Sequence, residues 1–231
     1  MRLVCALVVG GLFYAVGAGA QLSGTAIVVS DYRFRGISLS QQKPAAQASI
    51  DYDDPGGWYA GVFGSTVELP GESSTTGQAV AYFGVTTSVG DGFHWDVGAN
   101  YSAFTDGRDY DYGEVHAGVA SQSVNARLHY SPDYFGVARS SFYGEINGTY
   151  PLSGGFALLG HVGILVPLGR GGDEYTNAVR NPVDARVGLA LTVSGFEVQV
   201  AWVGTNGTGA LYPIYGMQRR NTVVGSVSRS F

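Results

Sequence analysis

Apolar and polar side chains alternate with a period of two along segments of about ten residues. In residues 93–101 the odd positions are apolar or aromatic and the even positions are polar or small, and residues 183–191 and 196–200 repeat the pattern. Successive side chains of a β-strand point to opposite faces. The pattern therefore predicts strands that have one apolar face and one polar face.

Twelve strands are predicted, and the connections between them alternate in length. The predicted strands are residues 22–35, 44–53, 57–67, 77–89, 92–104, 111–121, 123–131, 140–151, 155–166, 182–193, 196–205 and 219–231. Short periplasmic turns and longer external loops are typical of outer-membrane barrels. The tight connections are 54–57, 90–91, 122, 152–155 and 194–195, whereas 36–43, 68–76, 105–110, 132–139, 167–181 and 206–218 are mostly longer and polar. We therefore predict an all-β fold, a transmembrane antiparallel up-and-down β-barrel of about 12 strands with both termini in the periplasm.

Aromatic residues near the predicted strand ends favour a membrane barrel, because amphipathic rings prefer the headgroup level. These residues are Tyr32, Phe34, Tyr52, Trp58, Phe93, Tyr101, Tyr150, Phe156 and Trp202. The chain ends on Phe231, and a terminal strand closing on Phe resembles the C-terminal assembly signal of outer-membrane proteins. Arg229 has outward parity in that strand, where we expect its side chain to reach the periplasmic interface.

The first twenty residues have the pattern of a cleavable signal peptide. Arg2 is a minimal positive region, residues 3–16 are apolar, and Ala18-Gly19-Ala20 forms a cleavage site before Gln21. We therefore expect residues 1–20 to be removed and residues 21–231 to form the barrel in the outer membrane of a Gram-negative bacterium. The single cysteine, Cys5, lies in the signal peptide, so the mature chain has no thiol for disulfides, catalysis or metal binding.

The amino-acid composition favours a membrane protein over a soluble one. Only 13% of the 231 residues are charged, about half the fraction in a typical soluble domain. Lys43 is the single lysine. The alternative is a soluble β-sandwich, but its outward faces would need charged residues where this chain has apolar ones. The net charge of −5 and the lack of a basic stripe exclude nucleic acid as a partner. After residue 20 no apolar run is long enough for a membrane helix, and in hydrocarbon only a closed barrel satisfies every strand's backbone groups.

Three segments of the chain form recognisable strings. They are Ser30-Asp31-Tyr32-Arg33-Phe34-Arg35-Gly36-Ile37-Ser38 with Pro44, Ala45, Gln47 and Ile50-Asp51-Tyr52, then residues 58–65, and His129-Tyr130-Ser131-Pro132-Asp133-Tyr134-Phe135-Gly136. These strings resemble the TorF family of putative porins, a proteobacterial family of conserved hypothetical outer-membrane proteins. Outside these segments, the similarity is limited to the alternating strand pattern that β-barrels share. The resemblance implies a small outer-membrane barrel with a transport role.

Strand parity assigns a set of charged and histidine side chains to the barrel interior. The predicted pore-lining residues are Asp31, Arg33, Arg35, Asp96, Glu114, His116, Arg127, His129, Glu145, Arg186 and Glu197, and Asp51, His94 and Asp184 share that face. Strands 57–67 and 155–166 are ambiguous, because both of their faces are mostly apolar or glycine. Charges of both signs across a pore select solutes by charge and size. Arg33 and Arg35, near the external end of the first strand, would meet an incoming anion first, although Asp31 and Arg33 also suit a structural pair.

We therefore predict a monomeric porin-like channel for passive diffusion of small polar solutes, without catalytic residues, cofactor or metal. Its expected partners are outer-membrane lipid, lipopolysaccharide, the solutes, and the barrel assembly machinery. The alternatives are a plugged structural or surface-interaction barrel, in which salt-bridged side chains only stabilise the lumen, and a barrel-embedded enzyme. For the enzyme, Glu114, His116 and His129 share a face, but no Gly-x-Ser-x-Gly occurs and no serine is marked by spacing. Residues 106–111 are acid-rich and suggest a divalent-cation contact at the rim.

Overall fold

A computed structural model describes residues 20–68, 76–90, 92–105, 108–168, 181–207 and 220–231. Within these residues, twelve antiparallel strands close into one barrel in which sequence neighbours pair, and two short strands form a separate hairpin. The strands are β1 Gln21–Val29, β2 Arg33–Phe34, β3 Ile37–Ser38, β4 Ala45–Asp53, β5 Trp58–Val67, β6 Thr76–Ser88, β7 His94–Phe104, β8 Tyr112–Ala120, β9 Val124–Ser131, β10 Ser141–Pro151, β11 Phe156–Pro167, β12 Val183–Val193, β13 Phe196–Thr205 and β14 Asn221–Ser230. Short 3₁₀ turns lie at Arg108–Tyr110, Tyr134–Gly136 and Ser153–Gly155. The predicted barrel of twelve strands is confirmed, and the sandwich alternative is wrong.

The first and last barrel strands close the wall. β1 pairs with β14 in antiparallel register, with Thr25 opposite Ser230 and Val29 opposite Ser226. Beyond the strand, the Gly24 amide donates to the Phe231 carbonyl at 2.9 Å, and the Phe231 amide donates to the Gly24 carbonyl at 3.0 Å. Phe231 therefore extends the closing seam, at the same end of the barrel as the tight turns.

The outer wall is apolar, as the alternation predicts. Exposed side chains along it include Leu22, Val28, Ile50, Val187 and Val200. Seven of the predicted boundary aromatics also project from the outer face: Tyr52, Trp58, Phe93, Tyr101, Tyr150, Phe156 and Trp202. Arg229 projects outwards near the turn end, with its guanidinium carbon 5.1 Å from the centre of the Phe196 ring. In lipid such a wall leaves no backbone group unpaired, because the ladder is closed.

The predicted first strand, 22–35, is wrong in its second half. β1 ends at Val29, and residues 30–44, which we call the plug, turn into the lumen and include the hairpin of β2 and β3. Tyr32 and Phe34 are buried there, so neither belongs to a membrane-facing girdle. The alternation continues through the plug because a hairpin strand inside the lumen also has two different faces. Periodicity alone does not distinguish it from a strand of the wall.

Some predictions concern residues outside the described part of the chain. Residues 1–19 of the predicted signal peptide, and most of the long connections 167–181 and 206–218, lie outside it. The proposed cation contact at 106–111 includes residues 106 and 107, which also lie outside it, while the Asp111 carboxylate accepts a hydrogen bond from the Phe104 amide at 2.7 Å. Among the described residues, no group of three or more histidine, cysteine or acidic side chains is arranged to hold a metal ion, and no helix is long and apolar enough to cross a membrane.

Candidate functional site

The plug fills the part of the lumen farthest from the tight turns. Arg33 pairs with Ser38 and Phe34 with Ile37, so the hairpin turns through two residues, Arg35 and Gly36. Both have positive φ, 49° and 79°, as a two-residue hairpin turn of type I′ requires. A Cβ built on Gly36 would lie 2.7 Å from Thr205 Cβ on β13. Glycine at this position therefore lets the turn lie directly against the wall.

Apolar side chains of the plug bury themselves against the wall and a second inward loop. Tyr32 lies against Phe63 of β5, with ring centres 6.1 Å apart, and Leu39 is fully buried. Phe34 meets Phe135 of the β9–β10 connection in an edge-on contact at 6.1 Å. This buried cluster holds the plug by apolar burial and aromatic packing.

Two charged residues of the plug, Asp31 and Arg33, form an ion pair with each other. Arg33 Nε donates to Asp31 Oδ2 at 2.7 Å, and Arg33 Nη1 donates to the Gly36 carbonyl at 2.9 Å. Both side chains are buried. The predicted structural pair of Asp31 and Arg33 is confirmed. The predicted placement of Arg33 and Arg35 near the external end of a wall strand is wrong, because β1 ends at Val29, and their contact with an incoming solute stays a prediction. The physical reason is that this segment folds inwards and pairs its charges there.

Arg35 joins the plug to the wall. Its Nη1 and Nη2 donate to Oε1 and Oε2 of Glu114 on β8, both at 2.9 Å. Its guanidinium carbon lies 4.0 Å from the ring centre of Tyr143 and 5.2 Å from that of Tyr134. Both members of the pair are buried. A bidentate, aromatic-flanked ion pair of this kind is geometrically specific as well as strong.

Three aspartates of the lumen are reached by tyrosines that cross an intervening strand. In each case the ring passes over a glycine of the neighbouring strand, and its hydroxyl donates to the carboxylate one strand further on. The three sets are Tyr82–Gly61–Asp51, Tyr59–Gly84–Asp96 and Tyr143–Gly163–Asp184. A Cβ built on any of these glycines would lie 2.5 Å from the Cζ atom of the crossing ring. Only glycine leaves room for the tyrosine in this arrangement.

Histidines and carboxylates alternate around one side of the lumen. Asp96 of β7 accepts from Arg127 at 2.9 Å and lies 3.0 Å from His116 Nε2. The His116 and His129 rings are 5.5 Å apart, and His129 Nε2 lies 3.3 Å from Glu145 Oε1. These contacts bring together five of the predicted lumen residues from four consecutive strands.

We call this row of contacts from Asp96 to Glu145 the histidine belt. It continues through His161, a residue that the strand pattern did not assign to the lumen. Its Nε2 lies 2.7 Å from Asp184 Oδ1 and its Nδ1 lies 2.7 Å from Asn147 Oδ1. The sequence around it, residues 155–166, is apolar or glycine on both faces and so gives no direction. The one available signal was His161 itself, because a histidine in an otherwise apolar membrane strand is expected to face the interior.

Arg186 and Glu197 lie apart from this belt. Arg186 hydrogen-bonds to Gln199, and the Gln199 amide donates to Glu197 at 2.6 Å. Gln199 is almost fully buried between them. The sequence prediction placed the two charged residues on the inner face but did not include the glutamine that connects them.

His116 and His129, the two histidines of the enzyme alternative, contact carboxylates and a tyrosine. His116 Nε2 contacts Asp96 and the Tyr59 hydroxyl, and His129 contacts Glu145. Within the described residues, neither of these two rings is hydrogen-bonded to a serine. A nucleophile activated by a neighbouring base, which an acyl-transfer enzyme needs, is therefore not formed at the two histidines that the sequence suggested.

The sequence model of a bacterial family of unknown function, Gcw_chp, matches residues 15–231. The chain belongs to this family. The match spans the whole barrel, which includes the plug and every predicted lumen residue. No curated protein matches the chain. The TorF-family name suggested by sequence resemblance is not confirmed, whereas membership of a bacterial family of unknown function is.

Solved structures show which fold the Gcw_chp chain adopts. It is similar to the KdgM porin, with a TM-score of 0.55 at 9% identity over 90% of this chain and 99% of the porin. It is also similar to the KdgM porin in complex with disordered oligogalacturonate, with a TM-score of 0.51 at 9% identity over 91% of this chain and 98% of that one. The outer-membrane channel DcaP of Acinetobacter baumannii matches with a TM-score of 0.43 at 11% identity over 94% of this chain and 99% of that one. The KdgM similarity shows that the Gcw_chp barrel has the architecture of outer-membrane porins.

Nearer the tight turns, the barrel has a small recess on strands β6 to β9. The residues that line it are Thr86, His94, Asp96, Val119, Ala120, Asn125 and Arg127. Two of these residues, Asp96 and Arg127, form the ion pair that anchors the histidine belt. The described lumen thus has two zones: an aromatic zone at the plug, which encloses the Arg33 and Arg35 ion pairs, and a charged zone nearer the tight turns.

Proposed function

We propose that this protein is a gated outer-membrane channel for the passive diffusion of small polar solutes, and that the plug is its gate. The observation that carries the proposal is that residues 31–40 of the plug are all buried inside the barrel and belong to no strand of its wall. Val29 and Ala45, on either side of the plug, are already register partners in the β1–β4 ladder. The plug can therefore leave the lumen while every barrel strand keeps both of its neighbours.

The charged inner wall supports passage of polar solutes once the plug is displaced. Asp96, Glu145, Asp184 and Arg127 lie below or beside it and would replace part of a solute's hydration. The KdgM porin has been solved with oligogalacturonate, an acidic sugar polymer. In this chain Asp51, Glu145 and Asp184 contact tyrosine, serine or histidine within the described residues, and none is ion-paired with arginine. That balance favours neutral or cationic solutes over acidic ones.

Location and partners follow from the same proposal. The apolar outer wall suits outer-membrane lipid, with lipopolysaccharide at the rim of the external loops. Insertion would use the barrel assembly machinery, which the terminal strand and Phe231 are suited to engage. Detergent-free fractionation of the expressing bacterium, with heat-modifiable gel migration as the sign of a folded barrel, tests this placement.

A second candidate is a permanently plugged barrel with a structural or surface-interaction role. It is favoured by the close packing of the plug, in which Leu39 and Ser38 are fully buried. A barrel of this kind needs no solute path. The two candidates differ in one measurable property, because only the channel conducts after the plug is displaced.

The test is planar-bilayer conductance of the refolded protein with and without the plug. In the first variant a short Gly-Ser turn replaces residues 30–44, which is feasible because Val29 lies opposite Ala45. We expect discrete conductance steps that are larger or more frequent than those of the natural chain. A silent variant whose heat-modifiable migration shows a folded barrel would overturn the channel and favour the plugged barrel.

A lock provides the matched control. Gly36→Cys with Thr205→Cys places two thiols across the plug–wall contact, where the built Cβ and the Thr205 Cβ are 2.7 Å apart. A disulfide needs a Cβ separation of roughly 3.5–4.5 Å, so the turn has to shift outwards by about an ångström to form it. We expect the oxidised variant to be silent and the reduced variant to conduct. The comparison is between the two redox states of one variant, because a Cβ at position 36 displaces the turn in both. Equal conductance in both redox states would show that the plug is not the gate.

A further inference from the structure

The place occupied by Arg35 has the composition of a binding site for a planar cation. Glu114 offers both carboxylate oxygens to the two terminal nitrogens of the guanidinium, at 2.9 Å each. Tyr143 presents its ring face at 4.0 Å, and Tyr134 closes the side at 5.2 Å. Glu114 and Tyr143 belong to the wall, on β8 and β10, and Tyr134 to the β9–β10 connection, so all three remain when the plug moves.

The backbone conformation at Arg35 indicates that the contacts of its side chain, rather than the needs of the turn, account for an arginine at this position. Arg35 has φ of 49° at the first central position of the two-residue turn. That position favours Asn, Asp or Gly, and an arginine there is held in a sparsely populated conformation. A strained residue of this kind persists only when surrounding contacts over-determine it. Here those contacts are Glu114 and the tyrosines.

We infer that Arg35 is an internal substitute for a guanidinium- or amidinium-bearing solute, and that such a solute opens the plug by taking its place on Glu114. The inference rests on the proposed gating function and names the solute class. If the plug left without a replacement, Glu114 would lose both hydrogen bonds from Arg35. Among the described residues it would keep His129 Nδ1 as a charged neighbour, 3.9 Å from Oε2 and beyond hydrogen-bond distance, so removing the arginine from this buried pair is unfavourable. A planar cation removes that obstacle, because it restores both hydrogen bonds and the aromatic contact. A ligand shifts an equilibrium only through its preference for one state, and this cation binds only where Arg35 is absent.

The charge of the surrounding wall agrees with a cationic solute. Glu145 lies on β10, the strand of Tyr143, and Asp184 lies on β12. Within the described residues their ionic contacts are with His129 and His161 rather than with arginine. A cation entering beside Arg35 therefore meets further carboxylates along the wall. The same carboxylates would repel an anion.

The first experiment is rescue of the Arg35→Ala variant by small cations, measured on the refolded full barrel in micelles. Ethylguanidinium supplies the missing group, ethylammonium supplies the charge without the planar fork, and N-ethylurea supplies a similar planar shape without the charge. We expect ethylguanidinium to raise the Tm of Arg35→Ala by a few degrees, ethylammonium to raise it less, and N-ethylurea not to raise it. If Arg35→Ala refolds poorly, the readout becomes refolding yield, which ethylguanidinium should increase in the same order.

Two double variants decide whether the site is Glu114. In Arg35→Ala/Glu114→Gln we expect no rescue, because the carboxylate that accepts the fork is gone. In Arg35→Ala/Glu197→Gln we expect full rescue, since Glu197 is a lumen carboxylate that is hydrogen-bonded to Gln199 and not to Arg35. Rescue that is equal in all three backgrounds, or absent from Arg35→Ala, would overturn the cation site.

Displacement is tested in the natural chain. Ethylguanidinium on the external-loop side of the bilayer should increase the open probability several-fold over the same concentration of sodium, and Glu114→Gln should remove that difference. Rescue without this increase would overturn displacement of the plug while leaving the binding site. A chain without its plug that conducts, combined with failed rescue, would overturn the site and leave the proposed channel. Rescue of Arg35→Ala, combined with no conductance in any variant, would overturn the proposed channel and leave the cation site.

Discussion

Gly163→Ala is the substitution that most directly tests how the lumen is built. The ring of Tyr143 crosses Gly163 to reach Asp184, and its hydroxyl donates to Asp184 Oδ2 at 3.0 Å. An alanine Cβ would lie 2.5 Å from the Tyr143 Cζ atom, whereas ordinary carbon contacts are roughly 3.5–4.0 Å. The ring therefore has to move by about 1 Å or more, and a hydrogen bond of 3.0 Å does not survive such a displacement.

The cost has two parts. Losing a hydrogen bond to a charged acceptor costs about 1.5–3 kcal/mol, and inserting a methyl group into a packed site costs about 1–3 kcal/mol. Part of the overpacking is relieved when the ring moves, so we expect Gly163→Ala to lower the free energy of unfolding by about 2–5 kcal/mol. The measurement is a reversible urea titration of the barrel in lipid or micelles, followed by tryptophan fluorescence and heat-modifiable migration.

The same strand offers a matched control. A Cβ built on Gly160 of β11 meets nothing within 4 Å, so Gly160→Ala should change stability by less than about 0.5 kcal/mol. A double-mutant cycle adds the cause: in a Tyr143→Ala background, Gly163→Ala should lose most of its effect, because the crossing ring is gone. Equal effects at the two glycines, or an undiminished effect without Tyr143, would refute the reasoning.

Two further substitutions test the belt and the seam. Arg127→Ala leaves Asp96 with Tyr59 and His116 as partners, so we expect a loss of about 2–4 kcal/mol in the same titration, and Arg127→Ala/Asp96→Asn should recover part of it. Deleting Phe231 removes two backbone hydrogen bonds to Gly24 that extend the β1–β14 seam. We expect slower and less complete folding into lipid vesicles, while substitution by Tyr should fold like the natural chain, and normal folding of the deletion would show that the seam does not depend on this residue.

The sequence predicted the barrel wall well because lipid imposes one simple rule on every strand. Outward positions such as Val187 and Leu189 must be apolar, and the alternate positions then face the lumen. Parity therefore placed Asp96, Glu114 and Asp184 on the inner face, where the structure has them buried. The rule has no force inside the barrel, where polar and apolar side chains are both acceptable if their neighbours match.

The plug and the tyrosine crossings could not be predicted for that reason. Tyr32 and Phe34 alternate with Arg33 and Arg35 just as wall residues do, so their pattern extends a strand that in fact ends at Val29. Tyr143 reaches Asp184 across Gly163, residues that are close only because of the register of three strands. Pairings of this kind depend on long-range geometry, and the strand pattern specifies only direction.

The structure suggests why gating and solute choice would depend on the same contact. The plug's apolar side chains lose burial when it leaves, but its backbone gains conformational freedom, so these two large contributions oppose each other. The Arg35–Glu114 pair adds a further cost, because Glu114 stays behind in the wall with His129 Nδ1 at 3.9 Å. Breaking a buried pair by removing one partner costs roughly 3–5 kcal/mol when the remaining charge stays dry, which changes a two-state ratio by about 10²–10⁴-fold, and water that enters the opened lumen lowers this cost. The closed state would therefore depend mainly on whether another cation can satisfy Glu114, and a channel built this way opens for the solutes that resemble its own arginine.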